Sequence, residues 1–263
     1  MPRLRKRLGQ HHLLHEELCR PAVEFLSPAG LRVVEIGPGG GALTRPLLAA
    51  GARLWAWEID PSWAWELGRR IAAPAAVVLG DALAIPWARL PAGTLAAGNL
   101  PYAIASELIL RCLRHAAIVP RAAFLVQLEV AERLVARPGE PAYGALTVAV
   151  AARAEAILLA RVRRGSFRPP PRVDGAFVGL AAARPVLPAD ALDGLLATVR
   201  LAFGQRRKTL RNALAAGWGV AEAERVLAAA GLDPRARAQE LPLAAFQELH
   251  AHKGGDGPHP QRR

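Results

Sequence analysis

The chain has 263 residues, of which 52% are hydrophobic and 21% charged, a balance typical of a globular protein with one large core or a larger and a smaller domain. No apolar run approaches the length of a membrane span, and the basic start of the chain lacks the apolar segment of a signal peptide, so we expect a soluble, cytoplasmic protein without a membrane partner. The net charge of +12 indicates a polyanionic partner, and nucleic acid is the commonest one.

Short apolar runs alternate with helical patterns through the first half of the chain. This alternation predicts an α/β fold, in which a mainly parallel, doubly wound sheet carries helices on both faces. Ligands of such sheets bind beyond the carboxyl ends of the strands, so functional residues are expected in the turns that follow them. The predicted strands cover residues 32–36, 53–58, 75–80, 94–99 and 122–127, and the helical patterns cover 42–51, 62–71 and 105–116.

The first of these turns, EIGPGGGAL at residues 35–43, is rich in glycine. Gly37 and Gly39 let backbone amides come close to a ligand, although a tight strand-to-helix connection would use the same residues. Glu58, about 20 residues further on at the end of the next strand, stands where an acid accepts hydrogen bonds from both hydroxyls of a ribose. This spacing fits either a nicotinamide nucleotide or S-adenosylmethionine.

Two further acids favour S-adenosylmethionine. Glu35 precedes the glycines inside the strand, a pattern that resembles the first motif of S-adenosylmethionine-dependent methyltransferases. Asp81 follows the third predicted strand, where its carboxylate can accept a hydrogen bond from an adenine amino group.

The stretch GNLPYAI at residues 98–104 follows the fourth predicted strand. Pro101 biases Leu100 toward an extended conformation, so the Leu100 carbonyl and the Asn99 amide oxygen can act as neighbouring acceptors. Two acceptors match the two N–H groups of a base amine and would turn its lone pair toward a methyl sulfonium. Tyr102 offers a ring on which a base can stack. A structural turn with a buried Tyr is the alternative interpretation.

After residue 184 the pattern becomes helical. Apolar side chains recur at helical spacing over residues 189–217, and the sequence at 219–252 predicts two further short helices. We therefore expect three parts, which are a first domain at 1–184 with a basic segment at 1–14, a small helical domain at 185–252, and a disordered tail at 253–263.

Basic residues of the helical domain and of the amino-terminal segment are candidates for contacts with nucleic-acid phosphates, which position a protein without specifying sequence. A solvated helix face is the alternative for any single arginine. An arginine-rich genome or a high growth temperature would also raise Arg over Lys, but explains the net excess of charge less well. The candidates are Arg200, Arg207 and Arg211, together with Arg3, Arg5, Lys6 and Arg7.

No metal-binding pattern is present in the sequence. Cys19 and Cys112 fall in amphipathic helical patterns with no His or Cys at metal-ligand spacing, so we expect two buried thiols in a reducing compartment. His11 and His12 lack a third ligand, and neighbours in an extended segment point apart. We therefore expect no metal ion.

Six segments, spread over nearly the whole chain, form a recognisable set. They are KRLGQHHL at 6–13, VVEIGPGGGALT at 33–44, NLPY at 99–102, QLEVAERLVARPGEPAYGALTV at 127–148, GSFRPPPRVDGAFV at 165–178 and AFGQRRKTLRNAL at 202–214. In this order they resemble the ribosomal RNA adenine dimethyltransferases of the KsgA type.

The resemblance implies a fold, an activity and a partner. The fold would be that of a Rossmann-like class I methyltransferase domain at 1–184 with S-adenosyl-L-methionine as cofactor, followed by a small all-α RNA-binding domain at 185–252. The enzyme would dimethylate the N6 amines of two adjacent adenosines near the 3′ end of small-subunit ribosomal RNA during ribosome biogenesis. Its partner would be that RNA within a pre-small-subunit particle, and we expect the protein to act as a monomer.

The same resemblance implies roles for individual residues. Phe167, on the stiff extended loop before three prolines, would stack as an exposed ring on one face of the target base, unless it is a core residue that anchors the loop. The residues that would hold the base from the other side are Asn99, Leu100, Pro101 and Tyr102. The residues that would contact the cofactor are His11, Leu13, Gly37, Gly39, Glu58, Asp81 and Asn99.

Two departures from the family pattern and two alternative functions complete the prediction. His11 and His12 stand where the family usually has Asn-Phe, so the contact assigned to position 11 would come from an imidazole, and Gly175 stands where Ser is common.

One alternative function is that of a large-subunit ribosomal RNA adenine N6-methyltransferase that confers antibiotic resistance, against which RRKTLRNAL and NLPY argue. The other is a non-catalytic RNA-binding assembly factor, against which the set of Glu58, Asp81 and Asn99 argues.

Overall fold

The computed structural model describes residue 2 and residues 10–183, 189–205 and 207–253. Its helices and strands follow one another in the order β1 (His12–Leu13), α1 (Arg20–Leu26), β2 (Arg32–Ile36), α2 (Thr44–Ala49), β3 (Arg53–Glu58), α3 (Pro61–Gly68), β4 (Ala75–Leu79), β5 (Leu95–Asn99), α4 (Ala105–Arg114), β6 (Arg121–Gln127), α5 (Leu128–Val135), α6 (Ala145–Ala151), β7 (Ala154–Val162), β8 (Phe167–Arg168), β9 (Gly175–Ala182), α7 (Ala189–Phe203), α8 (Leu210–Trp218), α9 (Val220–Ala229) and α10 (Leu243–Lys253).

Seven of these strands form one sheet in the order β4-β3-β2-β5-β6-β9-β7. The first five strands in that order run parallel, and β9 and β7 run antiparallel to their neighbours. The predicted α/β fold with a mainly parallel sheet is confirmed, and the five predicted strands match β2 to β6 to within one residue at each end. The antiparallel pair β7 and β9 was not among the predicted strands.

The order of the strands creates a crevice between β2 and β5. The chain runs outward from β2 through β3 to β4 and then returns to β5 on the other side of β2. Ligands bind to such sheets at this reversal point. Gly98, paired with Ile36, leaves no room for a side chain at this point, since a Cβ at Gly98 would lie 2.5 Å from the Ile36 carbonyl oxygen.

The chain divides into two compact units, Met1–Val135 with Arg153–Val186 and Ala136–Ala152 with Leu187–Arg263. The division expected from sequence, at residue 184, left α6 and the loop before it in the first domain. The structure places them in the helical unit, because Tyr143 and Val148 belong to the same buried cluster as Leu195. The Tyr143 hydroxyl also donates a hydrogen bond of 2.6 Å to the Leu241 carbonyl oxygen in that unit.

The helical pattern at 189–217 forms two helices rather than one. α7 ends at Phe203, and α8 begins after Thr209, whose hydroxyl accepts a hydrogen bond from the backbone N–H of Asn212. The two further predicted helices are α9 and α10. Lys253, placed by the prediction in a disordered tail, is the last residue of α10. No described helix is long and apolar enough to cross a membrane.

Some sequence-based predictions lie outside the described residues. These concern the basic side chains Arg3, Arg5, Lys6 and Arg7, the connection at 184–188 and the tail from 254.

Candidate functional site

A cavity of about 510 Å³ opens at the carboxyl ends of β2, β3, β4 and β5. It therefore lies at the reversal point of the strand order, where ligands of such sheets bind. Nine of the sequence-predicted site residues line this cavity, namely His11, Gly37, Gly39, Glu58, Asp81, Asn99, Leu100, Pro101 and Tyr102. Leu13 and Phe167 do not.

The glycine turn after β2 forms one side of the cavity. Gly39 has a φ of +48°, a conformation that glycine adopts without strain, and a Cβ at this position would lie 2.8 Å from the His12 imidazole. The His12 ring in turn packs on Trp63, with the ring centroids 4.4 Å apart. Burial lowers the pKa of His12, and the nearby Asp60 carboxylate opposes that shift. The imidazole therefore serves here as a packing group over the glycine turn.

Glu58, at the end of β3, connects that strand to the glycine turn. Its side chain is 4% exposed, its Oε2 accepts from the Gly39 N–H at 3.1 Å, and its Oε1 accepts from the Asp60 N–H at 2.9 Å. Burial raises the pKa of Glu58, and these backbone hydrogen bonds oppose the shift. A carboxylate oxygen can accept more than one hydrogen bond, so Glu58 can still receive donors from a ligand in the cavity.

Glu35 lies beneath the same turn and is 1% exposed. Its Oε2 accepts a hydrogen bond of 2.7 Å from the Thr44 hydroxyl at the start of α2. Burial raises the pKa of Glu35 to about 8, and the hydrogen bond from Thr44 opposes this shift. Glu35 does not line the large cavity, so its position is that of a buried support for the turn.

Asp81 follows β4 and is exposed. Its Oδ1 accepts from the Leu83 N–H at 2.9 Å and so begins a short 3₁₀ turn at residues 82–84. Its Oδ2 makes no hydrogen bond with any residue that the structure describes. One carboxylate oxygen is thus available to a donor in the cavity.

Asn99, the last residue of β5, has its amide held in one orientation. Its Nδ2 donates a hydrogen bond of 2.7 Å to the His11 carbonyl oxygen. Because a carbonyl oxygen only accepts, the amide nitrogen must face His11, and Oδ1 points away from it. Within the described chain Oδ1 has no partner, so it is an available acceptor.

The rest of the NLPY turn is anchored by its backbone and by burial. The Leu100 side chain is 1% exposed, and its N–H donates to the Leu125 carbonyl oxygen at 3.0 Å. Tyr102 is half-buried, and burial raises its pKa to about 12. Its buried Oη has no hydrogen-bond partner in the described part of the chain. The functional contribution of Tyr102 is therefore expected from its ring rather than from its hydroxyl.

The His11 imidazole makes contacts that the sequence did not predict. Its ring stacks on that of Tyr102, with centroids 5.6 Å apart and an angle of 26° between the planes. Its Nδ1 lies 2.8 Å from the Pro169 carbonyl oxygen. A cofactor contact by this imidazole stays a prediction.

Phe167 is placed differently from the prediction. The expected exposed ring is 2% exposed and belongs to the buried core beneath the sheet, as does Leu13 at 9%. The reason is that β8 pairs with β1, which sets Leu13 opposite Phe167 and His12 opposite Arg168. The expectation of an exposed Phe167 is therefore wrong, and stacking of its ring on a base stays a prediction that requires the ring to be uncovered.

Several residues that line the cavity were not singled out from the sequence. Trp57 and Ile59 flank Glu58, and the Trp57 indole packs over Gly80. Alternation along β3, in which Trp55 and Trp57 share one face, was the signal that could have identified them. Among the described residues, no group of three His, Cys, Asp or Glu side chains could hold a metal ion.

Comparison with known proteins gives relatives along nearly the whole chain. A profile of the family described as "Ribosomal RNA adenine dimethylase" matches residues 1–252. The protein named "Ribosomal RNA small subunit methyltransferase A" from Phenylobacterium zucineum is 41% identical over 253 residues, covering 93% of this chain and 86% of that protein. The protein of the same name from Xanthomonas campestris pv. campestris is 40% identical over 258 residues and covers 93% and 94%.

Solved structures agree with this assignment at the level of the fold. A dimethyladenosine transferase from Plasmodium falciparum is 24% identical, with a TM-score of 0.76 and coverage of 90% of this chain and 96% of that chain. The 23S rRNA methyltransferase ErmE is 26% identical, with a TM-score of 0.68 and coverage of 96% and 98%. Given the profile match over residues 1–252 and relatives of about 40% identity, the chain belongs to the ribosomal RNA adenine dimethylase family.

Proposed function

We propose that this protein transfers methyl groups from S-adenosylmethionine to the N6 amines of two adjacent adenosines near the 3′ end of small-subunit ribosomal RNA. The observation that carries the proposal is the orientation of Asn99, whose Oδ1 is left as an acceptor at the cavity by the hydrogen bond from Nδ2 to the His11 carbonyl oxygen. The relatives named as small-subunit methyltransferases support the choice of RNA.

The donor set of the cavity suits S-adenosylmethionine. The cofactor offers N–H and O–H donors on its ribose and adenine, and two acids, Glu58 and Asp81, lie at the ends of neighbouring strands where they can accept them. Glu58 would hold the ribose hydroxyls, and the Oδ2 of Asp81 would hold the adenine amine. When bound, the cofactor supplies a methyl group on a positively charged sulfur.

The NLPY turn would hold the target adenine. Asn99 Oδ1 and the Leu100 carbonyl oxygen would accept the two N–H groups of the N6 amine, which orients the lone pair of that nitrogen toward the methyl group. The Tyr102 ring would stack on the base. No side chain with a strongly shifted pKa is required as a general base, because taking the methyl group leaves the nitrogen positively charged, and this cation is acidic enough to release its proton to water.

A group of exposed cations in the helical unit is proposed to contact RNA phosphates. Arg207 and Lys208 precede α8, and Arg235 and Arg237 lie on a neighbouring loop that is joined to the start of α8 by a 2.7 Å hydrogen bond from Leu210 N–H to the Ala236 carbonyl oxygen. These four side chains form no ion pair with the described residues. They can therefore neutralise phosphates without breaking a bond within the protein.

Arg211, expected from the sequence to belong to this group, is instead paired with an acid. Its Nη2 lies 2.6 Å from Glu224 Oε1. Arg200 is exposed and stays a candidate. The proposed phosphate-binding surface therefore rests on cations of the two neighbouring loops rather than on one face of a single helix.

The salt dependence of RNA binding tests this surface. The double variant Arg235→Gln/Arg237→Gln should make the slope of log K against log salt concentration less negative by about 1.4 to 1.8, since each phosphate contact contributes about −0.7 to −0.9 to it. The control is Arg225→Gln, because Arg225 is paired with Glu222 at 2.7 Å. An unchanged slope in the double variant would remove these two arginines from the RNA contact.

The proposed reaction is tested by transfer of labelled methyl from S-adenosylmethionine to small ribosomal subunits that lack the modification, followed by nucleoside analysis. Large-subunit RNA is the control. Dimethyladenosine in the small-subunit RNA alone is the expected result. Label on the large-subunit RNA would instead support the resistance enzyme, and tight RNA binding without any label would support a non-catalytic assembly factor.

A further inference from the structure

The short turn that follows Asp81 cannot bond all of its own backbone groups. Residues 82–84 form a single 3₁₀ turn, in which a carbonyl oxygen accepts from the N–H group three residues further on. For the Leu83 carbonyl oxygen that position is Pro86, which has no N–H group. The Leu83 carbonyl is therefore open to a donor from another part of the chain.

Arg111, on the exposed side of α4, supplies that donor. Its Nη1 donates a hydrogen bond of 2.7 Å to the Leu83 carbonyl oxygen. Its Nε and Nη2 lie 3.0 Å and 2.8 Å from Glu107 Oε1, one turn earlier on the same helix. Because a guanidinium presents its donors in one rigid plane, a bond at Nε and Nη2 also fixes the direction of Nη1. Glu107 thereby directs Arg111 toward the turn.

The contact reaches Asp81 through one residue. Leu83 is held through both of its backbone groups, since its carbonyl oxygen accepts from Arg111 and its N–H donates to Asp81 Oδ1 at 2.9 Å. Residues 82–84 include no fully buried side chain, and so short a turn has little stability of its own. The orientation of the Asp81 carboxylate, with Oδ1 bonded and Oδ2 available, therefore depends on how firmly Leu83 is held.

The helix that carries Arg111 also begins at the NLPY turn. The Ile104 N–H, directly before α4, donates to the Pro101 carbonyl oxygen at 3.1 Å. We propose that Arg111 is a positioning residue of the cofactor site, which acts through Leu83 to hold the Asp81 carboxylate against the adenine amine of S-adenosylmethionine. The assignment rests on the proposed function, in which Asp81 accepts a hydrogen bond from that amine.

Two ligands separate positioning of Asp81 from a general loss of stability. They are S-adenosylhomocysteine, which carries the adenine amine, and its deamino analogue, in which hydrogen replaces the 6-amino group of the purine. Arg111→Met removes the guanidinium and keeps an unbranched side chain. The matched control is Arg70→Met, because Arg70 pairs with Glu66 at the same i,i+4 spacing on α3, and its side chain bonds to no loop of the described chain. Thermal unfolding of each variant checks that the fold is retained.

Calorimetric titration measures the dissociation constants. The unmodified protein should bind S-adenosylhomocysteine at least about tenfold more tightly than the deamino analogue, since a hydrogen bond to a carboxylate is one of the stronger kinds. Arg111→Met should raise the Kd of S-adenosylhomocysteine roughly fivefold and change that of the deamino analogue less than about twofold, because only the first ligand uses Asp81. Arg70→Met should change neither value by more than about twofold.

A double variant tests whether the effect passes through Asp81. Asp81→Asn keeps an oxygen for the Leu83 N–H, and its amide nitrogen, which only donates, then takes the place of the available acceptor. In the Asp81→Asn background, Arg111→Met should therefore have no further effect on the Kd of S-adenosylhomocysteine. Independent contributions of the two residues would add instead.

Three results would overturn the assignment. They are unchanged affinity for both ligands in Arg111→Met, an equal loss of affinity for both, and a loss that persists in the Asp81→Asn background. Equal binding of the two ligands by the unmodified protein would remove Asp81 from the adenine amine, and the role of Arg111 with it. Failure of the proposed reaction is recognised separately, by the absence of methyl transfer to small subunits, because these titrations require no RNA.

Discussion

The two sides of the cavity differ in how completely their polar atoms are bonded. On the side of β2 and β3, both carboxylate oxygens of Glu58 accept backbone N–H groups, from Gly39 and Asp60. On the side of β5, Asn99 Oδ1 and Tyr102 Oη have no partner among the described residues. The glycine turn and Glu58 are therefore held in place by hydrogen bonds within the protein, whereas Asn99 retains an unbonded acceptor for a substrate. The predictions that follow test this difference.

The largest effect on function is expected on the side of β5, where Asn99 Oδ1 is an available acceptor. Asn99→Ala should lower the rate of methyl transfer by a factor of about 10² to 10³, the size of effect seen when one oriented hydrogen-bonding group is removed from an active site. Binding of S-adenosylmethionine should persist, weakened by less than about tenfold, since the acids of the other side remain. Transfer of labelled methyl and calorimetric titration measure the two quantities. The control is Asn212→Ala, an exposed amide in the helical unit, and turnover unchanged in Asn99→Ala would contradict the role of the turn.

A smaller effect on function is expected on the side of β2 and β3, where Glu58 accepts hydrogen bonds from the backbone. Glu58→Gln should weaken S-adenosylmethionine binding by about 10- to 100-fold, because hydrogen bonds to a charged acceptor contribute about 1.5 to 3 kcal/mol. The same change replaces the acceptor of the Gly39 N–H, so the glycine turn should also lose protection from hydrogen exchange. Glu24→Gln, on an exposed side chain, is the control. Equal affinity in Glu58→Gln and Glu24→Gln would place the ribose elsewhere.

The buried carboxyl group of Glu35, beneath the glycine turn, predicts that the stability of the fold depends on pH. Burial raises the pKa of Glu35 to about 8, from an ordinary value of 4.5, so the folded chain keeps a proton that the unfolded chain releases. The free energy of unfolding should therefore fall as the pH rises from 4.5 to about 8, by up to about 1.4 kcal/mol per pH unit from this group. Glu35→Gln cannot ionise and should lack this decline in urea unfolding at pH 5 to 8. If the exposed control Glu17→Gln also lacks the decline in stability between pH 5 and 8, the decline does not come from Glu35.

The smallest effect is expected for the Tyr102 hydroxyl. Its Oη is buried without a partner, so Tyr102→Phe removes an unsatisfied polar atom and keeps the ring. We expect the methyl transfer rate to stay within about threefold and the melting temperature to stay equal or rise slightly. A loss of activity as large as that of Asn99→Ala would show that the hydroxyl itself contacts the substrate.

Much of the side of the cavity that follows β2, β3 and β4 could be predicted from local sequence. Glycines in a turn after a buried strand, and acids at the ends of the next two strands, identify one edge of a parallel sheet because the carboxyl ends of parallel strands meet there. Gly39, Glu58 and Asp81 accordingly line one cavity. The side of the cavity that follows β5 was predicted only in part. The NLPY turn lies at the cavity as expected, but the stacking of the His11 ring on Tyr102 was not foreseen.

By itself, the sequence determined the five parallel strands, the turns that follow them and the residues of those turns, since strand periodicity and turn chemistry act over a few neighbouring residues. Only the tertiary structure decided that Phe167 is buried, that α6 belongs to the helical unit and that His11 stacks on Tyr102. The contacts that set the site of His11 join residues 88 and 158 positions apart, to Asn99 and to Pro169. No local pattern encodes such pairings, because they depend on how β1 meets β8 once the sheet has formed.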